Sequence, residues 1–252
     1  MTGTVFDLEG RVAIVTGASS GLGARFALAL AEAGALVVAC ARRVELLQSV
    51  AESHEGIDAV RCDVTDDIQR RALVDGTLSR HGRIDILVNN AGISSGGPKQ
   101  QAEVETFARV LDVNLKAAFA LSHLVATPMF AAGKGSIINV SSMFGLVAST
   151  PSPDAGYVAS KAAINGLTRE LAAQWAPKGV RVNALAPGWF PTEMNSLLFS
   201  DEKAARWVKN VCPMGRPGRE EELDGALIFL ASGASSYCTG QVIVIDGGWT
   251  LR

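Results

Sequence analysis

Seven short aliphatic and β-branched runs punctuate the chain: VAIV at 12–15, LVVA at 36–39, AVRC at 59–62, IDILV at 84–88, SIINV at 136–140, VRVNAL at 180–185 and VIVI at 242–245. Most are continuously apolar, the pattern of strands covered on both faces. The intervals between them carry helical spacing. In one, Ile164, Leu167, Leu171 and Trp175 fall on a single stripe before APKG ends the helix. Strands alternating with helices predict an α/β fold with a doubly wound, seven-stranded parallel sheet. Its ligands are expected outside the carboxyl ends of the strands. The segment 187–218 breaks the rhythm, with prolines at both ends and an apolar, aromatic interior, and is expected to be a cover over a site. No linker, repeat or low-complexity stretch divides the chain, so 1–252 is expected to act as one domain.

Composition narrows the partners. The 252 residues are 48% apolar and 19% charged, with a net charge of −2, which gives no electrostatic reason to bind nucleic acid or an anionic membrane. Cys40, Cys62, Cys212 and Cys238 are scattered, as are His54, His81 and His123, so no metal site is expected. No basic segment with an apolar core opens the chain, and no apolar run approaches the roughly 20 residues that cross a bilayer. A soluble protein of a reducing cytoplasm is the expectation.

The first run is followed by TGASSGLG at 16–23 and then a helical stretch. Gly17, Gly21 and Gly23 sit where a strand turns into a helix, where missing side chains let a pyrophosphate approach the N-terminal amides. The spacing G-x-x-x-G-x-G departs from the commoner G-x-G-x-x-G, and the turn alone would also suit a methyltransferase cofactor. The end of the second run sharpens the choice. A carboxylate there would take the ribose hydroxyls of NAD(H), whereas this chain has Ala41, Arg42 and Arg43. Guanidinium groups bind a 2′-phosphate bidentately, so NADP(H) is the expected cofactor, with NAD(H) as the alternative.

A second constellation lies further on. Ser141 and Ser142 end the fifth run, and YVASK at 157–161 places Tyr157 and Lys161 on one face at the start of the long helix. A phenol ionises near pH 10, and bringing it to 7 takes roughly 4 kcal/mol. One cation at about 4 Å supplies that much at an effective dielectric near 20. Lys161, helped by the positive nicotinamide left after hydride transfer, is therefore expected to lower the pKa of Tyr157.

In order and spacing, TGASSGLG, CDVTD at 62–66, NNAG at 89–92, DVNL around Asn114, NVSSMFG at 139–145, YVASK and PGWFPTEM at 187–194 resemble the short-chain dehydrogenase/reductase family. The likeness is to its compact single-domain branch, nearest the 3-oxoacyl-carrier-protein reductases and related ketoreductases. The resemblance implies a Rossmann-type fold and a homotetramer that interconverts a ketone and a secondary alcohol.

It also implies the roles of the site residues. Ser142, three residues before Gly145, would orient the carbonyl, Tyr157 would be the general acid and base, and Asn114 would support a proton relay to Lys161. The cofactor would lie along Gly17, Ser19, Ser20, Gly21, Leu22, Gly23, Arg42, Arg43, Asp63, Val64, Asn90, Ala91, Gly92, Tyr157, Lys161, Pro187, Gly188 and Thr192. The loop between Ser142 and Tyr157 is slightly longer than the commonest spacing of the family.

Substrate contacts are expected from Ser142, Phe144, Tyr157 and Trp189. An apolar pocket of Leu146, Val147, Phe190, Met194, Leu197, Leu198 and Phe199 would favour a hydrophobic ketone or 3-oxoacyl substrate. The loops 94–99, 144–154 and 189–215 would set that choice. A sugar or secondary-alcohol dehydrogenase using NAD, and a dinucleotide sensor without catalysis, are the alternative functions; a sensor has no need of the full proton-transfer set.

Overall fold

The computed structural model describes residues 4–95, 103–149 and 153–251, without the side chain of Leu197. All strand pairs are parallel, in the order β3-β2-β1-β4-β5-β6-β7. The strands are β1 (Val12–Thr16), β2 (Leu36–Ala41), β3 (Ile57–Arg61), β4 (Ile86–Asn89), β5 (Gly135–Val140), β6 (Val180–Pro187) and β7 (Val242–Ile245). The helices are α1 (Gly21–Glu32), α2 (Val44–Glu52), α3 (Asp67–His81), α4 (Val104–Leu111), α5 (Ala117–Ala132), α6 (Ala155–Trp175), α7 (Ser196–Ser200), α8 (Glu202–Val211) and α9 (Asp224–Ala231).

Alternation along the strands explains why both faces must be covered. On β1, Ala13 and Val15 join Phe26 and Leu30 of α1 and Leu227 and Leu230 of α9, while Ile14 points the other way, into a core with Leu121, Val125 and Met129 of α5 and Leu171 and Trp175 of α6. Each such buried Leu or Ile contributes roughly 1.5–3 kcal/mol. A polar thread crosses the second face: Asn89 Nδ2 donates to Asn139 Oδ1 at 2.9 Å, and Asn139 Nδ2 donates to Thr168 Oγ1 at 2.9 Å. Being hydrogen-bonded within the core, it fixes α6 against β4 and β5.

The strand order reverses between β1 and β4, and the crevice opens at their carboxyl ends, as a doubly wound sheet requires. The cover over 187–218 contains α7 and α8 and, beyond the end of β6 at Pro187, no strand. Helical structure is continuous over 104–132, a stretch long and apolar enough to cross a membrane by length and composition. That corrects the expectation from apolar runs, which Asp112, Asn114 and Lys116 interrupt in the sequence. Here the stretch packs Leu121, Val125 and Met129 into the core.

Candidate active site

The glycine turn follows β1 and is shaped by close approach. A side chain on Gly23 would overlap the carbonyl oxygen of Gly17 and the amide of Asn90, and Gly17 and Gly21 adopt φ of +65° and +51°. Thr16 and Asn90 hold the turn from the next strand. Asn90 Nδ2 donates to the Thr16 carbonyl at 2.9 Å, and Thr16 Oγ1 accepts from the amides of Asn90 and Ala91, each at 3.0 Å.

The turn opens onto a cleft of about 730 Å³. All eighteen residues expected to hold the cofactor, from Gly17 to Thr192, line it, together with Ser142. The bare backbone of the glycine turn fits a pyrophosphate, and Arg42 and Arg43 beside Ala41 fit a 2′-phosphate rather than a free ribose diol. Asp63 accepts from the amide and hydroxyl of Thr65 at 2.9 and 2.7 Å. Burial pushes its carboxyl up, but those bonds and the nearby Arg42 outweigh it and hold the pKa below the ordinary value. Among the described residues, no three His, Cys, Asp or Glu side chains converge as for a metal ion.

At the floor of the cleft, the Ser142 and Ser141 hydroxyls have different surroundings. Ser141 Oγ donates to the Lys161 carbonyl at 3.2 Å, whereas the Ser142 hydroxyl accepts from the Phe144 amide at 3.1 Å and hydrogen-bonds Tyr157. A side chain at Gly145 would come within 2.8 Å of the Lys161 carbonyl and the Asn165 amide, so the loop after Ser142 needs glycine there to lie against α6.

Tyr157 is placed by Asp154, the N-cap of α6, whose Oδ1 accepts from the Tyr157 amide at 3.0 Å. Asp154 also accepts from Ser95, at 2.9 Å from its amide and 2.5 Å from its hydroxyl, tying the loop after β4 to α6.

The phenol is pulled in both directions. Burial pushes Tyr157 above its ordinary pKa, Ser142 pulls it down, and the Asp154 carboxylate pushes it up again. The Lys161 ammonium donates to the Val140 carbonyl at 2.7 Å and stands 5.5 Å from the Tyr157 ring centroid. Lys161 is itself buried, and that burial lowers its pKa to about 8.

Asn114 sits in a π-turn over Asp112–Lys116 that joins α4 to α5, a local widening that turns its side chain inward. Its Oδ1 accepts from the Ile93 amide at 2.8 Å, and its Nδ2 donates to the Ile93 carbonyl at 2.9 Å and to Ser160 Oγ at 3.0 Å. Asn114 thus clamps the loop after β4 to α6, one residue from Lys161.

Phe144 and Trp189 do not line the cleft. They meet edge to face at 5.5 Å between centroids, and Trp189 packs likewise on Trp207 at 6.2 Å and Trp249 at 5.6 Å. The Trp189 indole N–H is buried with no partner among the described residues. Of the apolar pocket residues, Phe190 and Met194 reach the cleft, while Leu146 is exposed. Leu198 and Phe199 lie on α7, and Leu197 on the same helix is undescribed beyond its backbone. Residues 96–99 and 150–152 of the expected specificity loops lie outside the described residues.

Sequence reasoning missed Glu193, Arg109, Ile93 and Asp154. Only Asp154 had a readable signal, an Asp three residues before Tyr157 at a helix start.

A family model described as Enoyl-(Acyl carrier protein) reductase matches residues 17–250. The 3-oxoacyl-acyl-carrier-protein reductase of Thermotoga maritima is 40% identical over 248 residues, 97% of this chain and 99% of the relative. Gluconate 5-dehydrogenase of Gluconobacter oxydans is 39% identical, covering 98% and 97%. A crystal structure of a short-chain type dehydrogenase/reductase from Mycobacterium marinum superposes with a TM-score of 0.93 at 42% identity, over 98% of each chain. A gluconate 5-dehydrogenase from Burkholderia cenocepacia, solved with NADP and tartrate, gives 0.92 at 40%, also over 98% of each chain. The chain belongs to the short-chain dehydrogenase/reductase family, and it is an oxidoreductase of CH–OH groups.

Proposed function

We propose that the chain is an NADP(H)-dependent ketoreductase that interconverts a ketone and a secondary alcohol, with a hydrophobic ketone or 3-oxoacyl group as substrate. The observation that carries this reading is geometric: Ser142, Tyr157 and Lys161 line the same cleft as the glycine turn, with Ser142 hydrogen-bonded to the Tyr157 phenol. A phenol fully protonated at neutral pH is a proton donor, which is what a forming alkoxide needs. NADP(H), when bound, supplies the hydride.

Ser142 donates to the substrate oxygen and sets its distance from the phenol, Tyr157 delivers the proton from its hydroxyl, and Lys161 presents a cation at the cleft floor and would hold the nicotinamide ribose. Asn114, by fixing Ile93 and Ser160, positions the route by which the proton is replaced. Arg42 and Arg43 favour NADP(H), and solved relatives carry NADP. Phe190 and Met194 in the cleft support an apolar substrate.

The chain acts as one domain of the cytoplasm, covered by 187–218. Half-buried apolar β7 and exposed Val104, Phe107 and Phe119 support assembly as a homotetramer. A second reading, oxidation of a sugar acid or polyol, draws on the gluconate and galactitol dehydrogenases among the relatives.

The test is consumption of NADPH, followed at 340 nm, with a panel of aliphatic ketones, 3-oxoacyl thioesters and keto sugar acids. Highest kcat/KM for a keto sugar acid supports the second reading against the first.

A further inference from the structure

One exposed carboxylate at the mouth of the cleft is held as an anion ligand would be. Glu193 Oε1 accepts from Arg43 Nη1 at 2.7 Å, and its Oε2 accepts from Arg43 Nη2 at 2.7 Å and from Ser20 Oγ at 2.9 Å. Arg43 Nη2 also donates to Ser20 Oγ at 2.7 Å. A planar guanidinium fork completed by a hydroxyl takes a phosphate by the same two nitrogens that it offers to a carboxylate. Arg43 Nη1 and Nη2 and Ser20 Oγ cannot serve the Glu193 carboxylate and a phosphate in the same place at once.

The backbone beneath Glu193 is anchored independently of that contact. The Thr192 amide donates to Asn195 Oδ1 at 2.7 Å, and Asn195 Nδ2 donates to the Phe190 carbonyl at 2.8 Å. Thr192 also lies against the glycine turn, where a side chain on Gly21 would come within 3.4 Å of its Cβ. The Glu193 side chain can therefore leave Arg43 without unmaking the loop that carries it. Arg43, first, and then Ser20 hold the Glu193 carboxyl down to about 2, so it is an anion at every working pH.

We propose that Glu193 is a specificity-determining residue: its carboxylate occupies the 2′-phosphate site of this chain and competes with NADP(H) for Arg43 and Ser20. The proposal rests on the reading of NADP(H) as cofactor. Arg43 and Glu193 are about half exposed, at 46% and 61%, and exposed pairs of this kind weaken a competitor by no more than about five-fold. A dianionic phosphate displaces such a carboxylate, whereas NADH, with no 2′-phosphate, gains nothing from its departure.

The experiment is a fluorescence titration of the full chain with NADPH and with NADH, without substrate, for the natural protein, Glu193→Gln and Arg43→Ala. Glu193→Gln keeps the shape and removes the charge. Its Kd for NADPH is expected to fall roughly two- to five-fold, with the Kd for NADH unchanged. Arg43→Ala should lose most of the discrimination between the two. Weaker NADPH binding by Glu193→Gln, showing that the carboxylate clasps the bound cofactor, overturns the proposal, as does an unchanged Kd. Failure of the cofactor reading looks different: the natural protein then binds NADH as tightly as NADPH.

Discussion

Lys161 donates its buried ammonium to the carbonyl of Val140 at 2.7 Å, and that single bond accompanies a pKa brought down to about 8 by burial. The charged form is disfavoured in the folded chain relative to the unfolded one, where lysine ionises near 10.4. Below pH 8 the folded state bears the whole cost, on the order of 3 kcal/mol. Between 8 and the unfolded value the unfolded chain binds more protons, so stability rises with pH. Lys161→Met is therefore expected to raise the melting temperature at pH 7 while abolishing turnover, and the gain should shrink towards pH 10. Thermal unfolding of both proteins across that range checks it.

Removing the phenolic oxygen alone separates binding from chemistry. Tyr157→Phe keeps the ring beside Ser142 and leaves the cofactor cleft intact. NADPH affinity is expected within about two-fold of the natural protein, while kcat falls by 10²-fold or more, the typical contribution of a positioned acid. Substantial residual kcat in a steady-state assay would remove Tyr157 from its role.

Much of this was legible from the chain because buried parallel strands write themselves as apolar runs. The runs at 12–15, 36–39 and 242–245 each fall within an observed strand. The third run is displaced by two residues at its start: β3 is Ile57–Arg61, at the edge of the sheet, where Asp58 belongs to the strand although it breaks the apolar pattern. The π-turn around Asn114 left no mark, since DVNLK is ordinary helix composition. Glu193 and Arg43 are 150 positions apart, and only folding brings that pair together. Spacing reports that Tyr157 and Lys161 share a face, not that the ammonium donates to the Val140 carbonyl.

The Asp154 carboxylate is a lever on the phenol. It raises the Tyr157 pKa, so Asp154→Asn, which retains a capping oxygen, is expected to lower it. Proton donation needs the phenol protonated, and proton removal from an alcohol needs it ionised. The alkaline limb of ketone reduction should therefore move to lower pH in Asp154→Asn, and the rising limb of alcohol oxidation should move the same way. Profiles of kcat/KM against pH in both directions measure this, and a shift to higher pH would contradict the electrostatic assignment.

Two glycines separate close approach from mere flexibility. A side chain at Gly23 would overlap the Gly17 carbonyl and the Asn90 amide, whereas one at Gly76, on α3, meets nothing within 4 Å. Overpacking a tight site costs roughly 1–3 kcal/mol, and glycine within a helix is about 0.5–1 kcal/mol worse than alanine. Gly23→Ala is expected to lower the melting temperature and weaken NADPH binding by at least about ten-fold, equivalent to ~1.4 kcal/mol. Gly76→Ala should raise the melting temperature and leave NADPH binding unchanged. Calorimetry and cofactor titration on both variants distinguish a turn shaped for a pyrophosphate from a glycine whose only effect is entropic, since only the former couples stability to the ligand.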